Sequence, residues 1–563
     1  VSLQSAAPPF FLCKKRIKKT GVVVHRLLAL TLAVGLQAQA HGALMNFSDQ
    51  TLNAGLKFEH TTTSDHQSGP MIAGGAVGDF NNDGYPDVFV LGGGLRDDGL
   101  FINNRDGTFT DRAVQWGVAD RHRSVGVTVG DVDGDGDDDI FVTSLGPMTS
   151  FAQPGKHRLY LNQGDHFVDV AQGAGVATTT TTHPDGYGAS FGDYDRDGDL
   201  DLFVGAWHNA AVLGSRLFRN RGDGTFENAT DKARVMQQST RAFGAIFADM
   251  DGDFFPELLV AGDFGTSRYY RNNTDGSFTE LDPGTGLPTS ANQWGVARAH
   301  NAMGMALADF NRDGRPDWFI TAIWPTAAFE HEFWGNGLYI NHGDHVFTEQ
   351  SQGAGVNDGG WGWGTEAADF DHDGWTDLVM TNGWPFADNV TGESFDNESA
   401  YLWRNRGDLS FADLSQDSGL DHANEGRALL TLDYDRDGDM DVIILSHQQP
   451  ARLYRNEIVN GETPSDAHWL QVRLDTRGTS YAPYGLGARV TVVTRDGEQT
   501  QVVASGASYL GQSERVLHFG LGEDKYAQRV TVEWSPNDRQ ALMRVPADRS
   551  LSIRPQGRTL RKK

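Results

Sequence analysis

From about residue 70 to 460, one arrangement of apolar and polar positions returns again and again. A run of small and apolar residues such as "GASFG" gives way to nine residues dense in aspartate, which lead directly into "LFV", "LLV" or "VII". A third apolar element follows, ending in Asn103, Asn162, Asn220, Asn272, Asn341, Asn405 and Asn456 in turn. A glycine-containing turn then leads to a short segment bearing Phe109, Phe167, Phe226, Phe278, Phe347 or Phe411. Short apolar runs bounded by turn residues predict strands, so each unit reads strand, polar loop, strand, strand, turn, strand. The polar windows start 52 to 64 residues apart, a period suited to a four-stranded propeller blade. The predicted fold is all-β: a seven-bladed β-propeller followed by a small β-sandwich-like domain.

Only six phenylalanine strands follow their own repeats; after Asn456 the chain continues as "EIVNGETPSDAHWLQV". The missing one is predicted at the front. "NFSDQTLNAGL", residues 46–56, matches "TFTDRAVQWGV" and "SFADLSQDSGL" at Phe, at Asp and at the closing Gly-Leu or Gly-Val. This segment should form the outer strand of the last blade and close the ring, leaving no long exposed sheet edge. Seven blades then occupy residues 41–462. Residues 466–556 alternate with period two in "ARVTVVT" and "QRVTVEW" and form the second domain, followed by a basic tail, 557–563.

The polar windows carry the candidate chemistry. Counting the first Asp as position 1, side-chain oxygens recur at positions 1, 3, 5 and 9. The seven sets are Asp79, Asn81, Asp83 and Asp87; Asp131, Asp133, Asp135 and Asp139; Asp193, Asp195, Asp197 and Asp201; Asp249, Asp251, Asp253 and Glu257; Asp309, Asn311, Asp313 and Asp317; Asp369, Asp371, Asp373 and Asp377; and Asp433, Asp435, Asp437 and Asp441. Two carboxylates about 4 Å apart repel by roughly 4 kcal/mol at an effective dielectric of about 20, so an ordered loop of this kind requires a cation. Oxygen ligands at alternating positions suit Ca²⁺, and the glycine at position 6 of six loops permits a tight turn. An EF-hand is excluded, because position 12 is Val90, Val142, Val204, Val260, Ile320, Met380 or Ile444 where a glutamate is required. The fourth loop, with Phe254 for glycine and Glu257 for the last Asp, is expected to bind calcium weakly or not at all.

At these residues the chain resembles the FG-GAP or VCBS-type repeats of integrin-α-like propellers. The tail segments "HWLQVRL", "YGLGARVTVVTRDGEQTQVVASGASYLGQSERVLHFGLG" and "RVTVEW" resemble the ASPIC/UnbV domain. The combination is similar to bacterial relatives of the cartilage acidic protein family. The resemblance implies a secreted calcium-binding protein and no established reaction, and the seven loops imply several calcium ions, up to seven.

Strand direction alternates within a blade, so the acidic loops and the third-to-fourth turns share one face, and the other connections share the opposite face. Before the first strands lie His66, His122, His183, His300 and His422, with Arg241 and the pair Trp361 and Trp363 in the remaining blades. After the second strands come Trp207, His208, Trp324, His331, Trp334, Trp384 and His447. Of these, His122, His183, Trp207, His208, His300, Trp324, Trp361, Trp363, Trp384 and His422 are the candidate ligand-binding residues, a set of aromatic platforms at the mouth of the channel for a glycan or a protein. Loop-to-loop packing by the same side chains is the plainer alternative. Asp185, Glu330, Glu332, Glu366 and Glu425 would serve a rival reading, a polysaccharide-cleaving enzyme.

Charge and composition narrow this further. Thirty of the 75 acidic residues fall within the seven windows, so the net charge of −28 is concentrated there, and no basic stripe exists for nucleic acid. Residues 14–40 read as a secretory signal, with "KKRIKK", an apolar core and Ala38-Gln39-Ala40 as the cleavage site. Cleavage after Ala40 removes residues 1–40, the signal with its upstream extension, and with them six basic and no acidic residues, moving the charge from −28 to −34, and the only cysteine, Cys13. No transmembrane segment is predicted after it, and the expected destination is extracellular, cell-surface or periplasmic.

Overall fold

The computed structural model describes residues 45–62, 69–145, 156–177, 186–207, 214–236, 240–282, 287–288, 301–324, 335–385, 395–396, 398–458, 466–506 and 508–556. The signal segment, Cys13 and the basic tail lie outside the described residues.

Among the described residues, seven antiparallel sheets follow the four-strand repeat. The first unit is representative: Gly75–Gly78, Asp87–Val90, Gly99–Asn103 and Phe109–Asp111, paired in that order. Central strands are buried on both faces because each sheet is sandwiched between two others. Period-two alternation therefore sends Val88 and Val90 into the core shared with the last unit, and Phe89 into the core shared with the second. The same division recurs around the ring, with seven hydrophobic clusters each spanning two neighbouring sheets.

The ring closes through the front of the chain. Phe47–Asp49 pairs antiparallel with Arg452–Asn456, with Phe47 opposite Asn456. That register is the one other units use, for example Asn405 opposite Phe411. Phe47 is 3 % exposed and packs edge-to-face on Phe370, 5.8 Å between ring centroids. At the axis the last and first units meet where Ala428 donates its N–H to the Ala73 carbonyl at 3.2 Å.

First strands approach closely, which explains their glycines. A Cβ on Gly188 would stand 2.1 Å from the Phe243 carbonyl oxygen of the next unit, whereas the Gly188 N–H reaches that oxygen at 2.6 Å.

The second domain is a sandwich of two sheets. One pairs Leu517–Gly522, His468–Leu474 and Arg549–Ile553; the other orders Glu498–Val502, Arg489–Val493, Tyr526–Ser535 and Asp538–Pro546. Trp534 and the alternating valines 490, 492, 530 and 532 fill its core.

Removing the closing strand should expose the edge of a unit almost 400 residues away in sequence. Phe47→Ala should cost about 3 to 5 kcal/mol, and deletion of residues 45–56 should deprotect Leu453 to Asn456 selectively in hydrogen exchange. Unchanged protection there after the deletion would contradict this pairing.

Candidate metal loops and the plugged axis

Each acidic loop is a turn held by its own backbone. In the third loop the Gly198 N–H donates to Asp193 Oδ2 at 3.0 Å and the Asp199 N–H to Asp197 Oδ1 at 3.0 Å. The chain turns through two left-handed residues, at positions 4 and 6; in this loop they are Arg196 (φ 58°) and Gly198 (φ 90°). Position 6 of the fourth loop is Phe254 at φ 74°, so the departure noted in the sequence is a strained residue in an unchanged backbone.

Position 9 does something the spacing did not reveal. Both oxygens of Asp201 accept backbone N–H groups, from Tyr194 at 3.2 Å and from Asn220 at 2.9 Å. Asp87, Asp139, Glu257, Asp317, Asp377 and Asp441 repeat this, each joining position 2 of its loop to the third-strand asparagine. The asparagine then links neighbouring units: Asn220 Nδ2 donates to the Val132 carbonyl of the preceding unit at 2.8 Å, and Asn103 reaches Tyr434 at 2.8 Å across the closure. One signal was available in the sequence, the invariable Asn at the end of seven third strands. Position 9 is thus a structural clamp, with its remaining lone pairs available to a cation.

In the third, fourth, sixth and seventh loops, oxygens at positions 1 or 3 would suit a cation. Buried oxygens without a hydrogen-bond partner are found on Asp193, Asp195, Asp249, Asp369, Asp433 and Asp435. In the first and fifth loops, position 3 is an asparagine that donates to the position-5 carboxylate, Asn81 to Asp83 at 2.9 Å and Asn311 to Asp313 at 3.2 Å. Arginines offset part of the charge from outside. Arg219 contacts Asp195 at 2.5 Å and Asp197 at 2.7 Å, and Arg404 bridges Asp371 and Asp373. Burial, then neighbouring carboxylates, push Asp193 and Asp437 up to about 8, and Asp131 up to about 7.

The second domain sits over this loop face. Gln471 donates to Asp433 at 2.8 Å, the Tyr484 hydroxyl to Asp138 at 2.5 Å, and Arg489 lies 3.7 Å from Asp249. A cleft of about 610 Å³ remains between it and the loops of the first three units, lined by Asp79, Asp131, Arg477 and Tyr484 among others.

From this domain a loop, described at residues 505–506 and 508–515, enters the axis of the ring. Its backbone joins the first strands of the units it passes: Ser505 and Gly506 pair with Phe247 and Ile246, the Ser508 carbonyl accepts from Met305 N–H at 2.6 Å, and the Gln512 carbonyl from Val77 N–H at 2.9 Å. Gln512 Oε1 accepts from Thr128 Oγ1 at 2.8 Å. Below the tip, buried Glu514 is held down to about 2: burial opposes its charge, and Arg473 and Arg436 overcome that cost.

The tip, Tyr509 and Leu510, lies among Met71, Tyr187, Trp207, Phe243 and Trp363 near the opposite face. This corrects the expectation of an open channel mouth. Trp207 (7 % exposed) and Trp363 (1 %) pack against Phe243 and the plug, and His422 (1 %) bonds Ser446 Oγ at 2.9 Å. His122 is buried beside Asp98 and Asp120. Burial lowers both imidazoles to about 4, so they stay neutral. Trp361 and Trp384 stack at 4.8 Å and 9° and remain half-buried, as does Trp324. Among the rival acidic residues, Glu366 accepts from plug residue Ser513 at 2.6 Å and Glu425 lies 3.6 Å from Arg427. His183, His208, His300, Asp185, Glu330 and Glu332 lie outside the described residues.

Residues 57–142, 150–204, 249–320 and 327–380 match the FG-GAP-like repeat, and residues 478–560 match the ASPIC and UnbV family. The chain thus contains FG-GAP-like repeats and an ASPIC and UnbV domain. Cartilage acidic protein 1 of Mus musculus is 24% identical over 521 residues, spanning 87% of this chain and 74% of the mouse protein. The Homo sapiens protein is 24% identical over 529 residues, covering 87% and 73%. Among solved structures, BBS1N in complex with ARL6DN covers 74% of this chain and 97% of its own at 10% identity and a TM-score of 0.42. YCF48 bound to D1 peptide covers 71% and 95% at 8% identity and a TM-score of 0.38. The seventh four-strand sheet, with its loop Asp433 to Asp441, lies beyond the matched segments and has the same strand order. Among the described residues no helix is long and apolar enough to cross a membrane.

The raised carboxylates fix a sign. Asp193, at about 8 in the fold against an ordinary 3.8, binds its proton more tightly folded than unfolded. Metal-stripped protein should therefore melt higher at pH 5 than at pH 8, stability falling as pH rises through that window. Calcium should flatten the profile; identical slopes with and without it would refute charge compensation. Phe254→Gly should raise stability by about 1 kcal/mol by relieving the left-handed position, read from the melting midpoint, and a fall would show that the ring's packing outweighs its strain.

Proposed function

We propose that this chain is an extracellular, non-enzymatic binding module, a calcium-stiffened propeller that presents the face opposite its acidic loops to a glycan or protein. The observation that carries the metal part is the set of buried, unpartnered carboxylate oxygens at positions 1 and 3. With calcium bound, positions 1, 3, 5 and 9 would supply oxygen ligands and the ion would neutralise each loop. The loop's own backbone bonds preorganise these oxygens.

The second domain occupies the loop face around the axis, so a partner approaches from the other side. There the Trp361 and Trp384 stack, with Arg427 6.0 Å from the Trp384 ring, offers a half-buried aromatic surface. Stacked indoles give a sugar or an extended peptide a large apolar contact at low entropic cost. The similarity to cartilage acidic protein 1 supports an extracellular setting.

The test is a panel of glycans and extracellular matrix proteins with product analysis of every ligand retained. Trp384→Ala should weaken binding at least tenfold with little change in melting temperature, whereas Trp363→Ala should destabilise the fold because that ring is buried. Retention of full affinity in Trp384→Ala would move the site elsewhere, and new chain ends in a retained polysaccharide would make the protein an enzyme.

A further inference from the structure

The fourth loop is faced by a histidine from the turn of the next unit. In units 1 and 3 the third-to-fourth turn lies over the acidic loop of the preceding unit with a glycine nearest it: a Cβ on Gly107 would stand 3.9 Å from Asp435 Cβ, and one on Gly224 3.4 Å from Asp133 Cβ. The fifth unit has His345 there. Asp344 (φ 52°) and His345 (φ 59°) are both left-handed, and the turn directs the buried imidazole at the fourth loop.

His345 Nε2 stands 3.2 Å from Asp251 Oδ2, and one ligand atom each from Asp251, Glu257 and His345 lie within 4.8 Å of one another. Asp249, Asp251 and Asp253 form a second such group sharing Asp251. Two ligands about 2.1 Å from one metal are about 3.0 to 3.4 Å apart, which a 3.2 Å spacing matches.

Two further observations point to an ion here. Asp249 is 1 % exposed, its Oδ2 has no hydrogen-bond partner, and the nearest cation, Arg489 Nη2, is 3.7 Å away. The other ring nitrogen, Nδ1, lies 2.9 Å from the hydroxyl of fully buried Tyr269. An Nδ1–H donated to that oxygen leaves the Nε2 lone pair facing the carboxylates, the arrangement that orients metal-ligating histidines.

We propose that the fourth loop holds a first-row transition-metal ion of the Zn²⁺ class, ligated by His345 Nε2 and the carboxylates of Asp251, Glu257 and Asp249. Imidazole favours such ions, whereas Ca²⁺ takes oxygen ligands. The two departures of this loop, Phe254 and Glu257, then mark a site with a different ion preference rather than a decayed calcium site. The proposal does not depend on calcium filling the other loops.

The test uses metal-stripped full-length protein in excess Ca²⁺, with Co²⁺ as the probe. One equivalent should bind with visible d–d absorption and be displaced by Zn²⁺. His345→Gln should weaken uptake at least 100-fold, and Tyr269→Phe, which removes only the orienting hydroxyl, by about 10- to 100-fold. Calcium-dependent melting should be unchanged in both. Absence of Co²⁺ binding to the unmodified protein, or full uptake by His345→Gln, overturns the proposal. If His345→Gln does not fold, unchanged affinity in Tyr269→Phe overturns it.

Discussion

Everything in the ring depends on a bond pattern made seven times: a buried carboxylate at the end of each acidic loop accepts the N–H of loop position 2 and the N–H of the third-strand asparagine. That asparagine donates to a carbonyl of the neighbouring unit. Loop, sheet and neighbour are thus held by one short chain of hydrogen bonds in a region closed to water. Leaving either buried N–H unmet would cost about 1 to 3 kcal/mol. A unit cannot lose its clamp without loosening the loop that would hold the cation and the interface that holds the ring.

The same clamp concentrates negative charge where burial makes it costly. Arginines answer part of this from the third strands, and the second domain answers part from above, through Gln471 and Arg489. A cation in the loops would complete the compensation, and metal binding and domain docking would then be two responses to one electrostatic demand. Glu514 inverts the arrangement, an acidic residue on the plug flanked by Arg436 of the seventh loop and Arg473 of its own domain.

The plug gives the two domains a common interior. A propeller axis lined by first-strand backbone leaves N–H and C=O groups facing a narrow channel, and the loop 505–515 satisfies several of them, at Val77, Met305 and Val127. Tyr509 then fills the far end, its hydroxyl donating to the Met71 carbonyl at 2.9 Å. The axis is thereby closed, and the half-buried Trp361 and Trp384 lie beside it.

Repetition made much of this legible in the sequence. Seven copies of one apolar and polar pattern determined the strands, their order and the acidic loops, and a single match at Phe47 determined which strand closes the ring. Local spacing dictates these features, because alternation chooses the buried face and aspartate at every second position chooses a turn rich in oxygens. Only the tertiary structure decided the rest. The plug is a single aperiodic segment whose partners lie up to 438 residues away, so no period announces it. Likewise, Trp207 and Trp363 left both an open platform and the plainer packing role open until Tyr509 was placed against their cluster, and His345 became a candidate ligand only when one unit was laid beside the next. Contacts made once, between surfaces brought together by ring closure, leave no repeat in the chain.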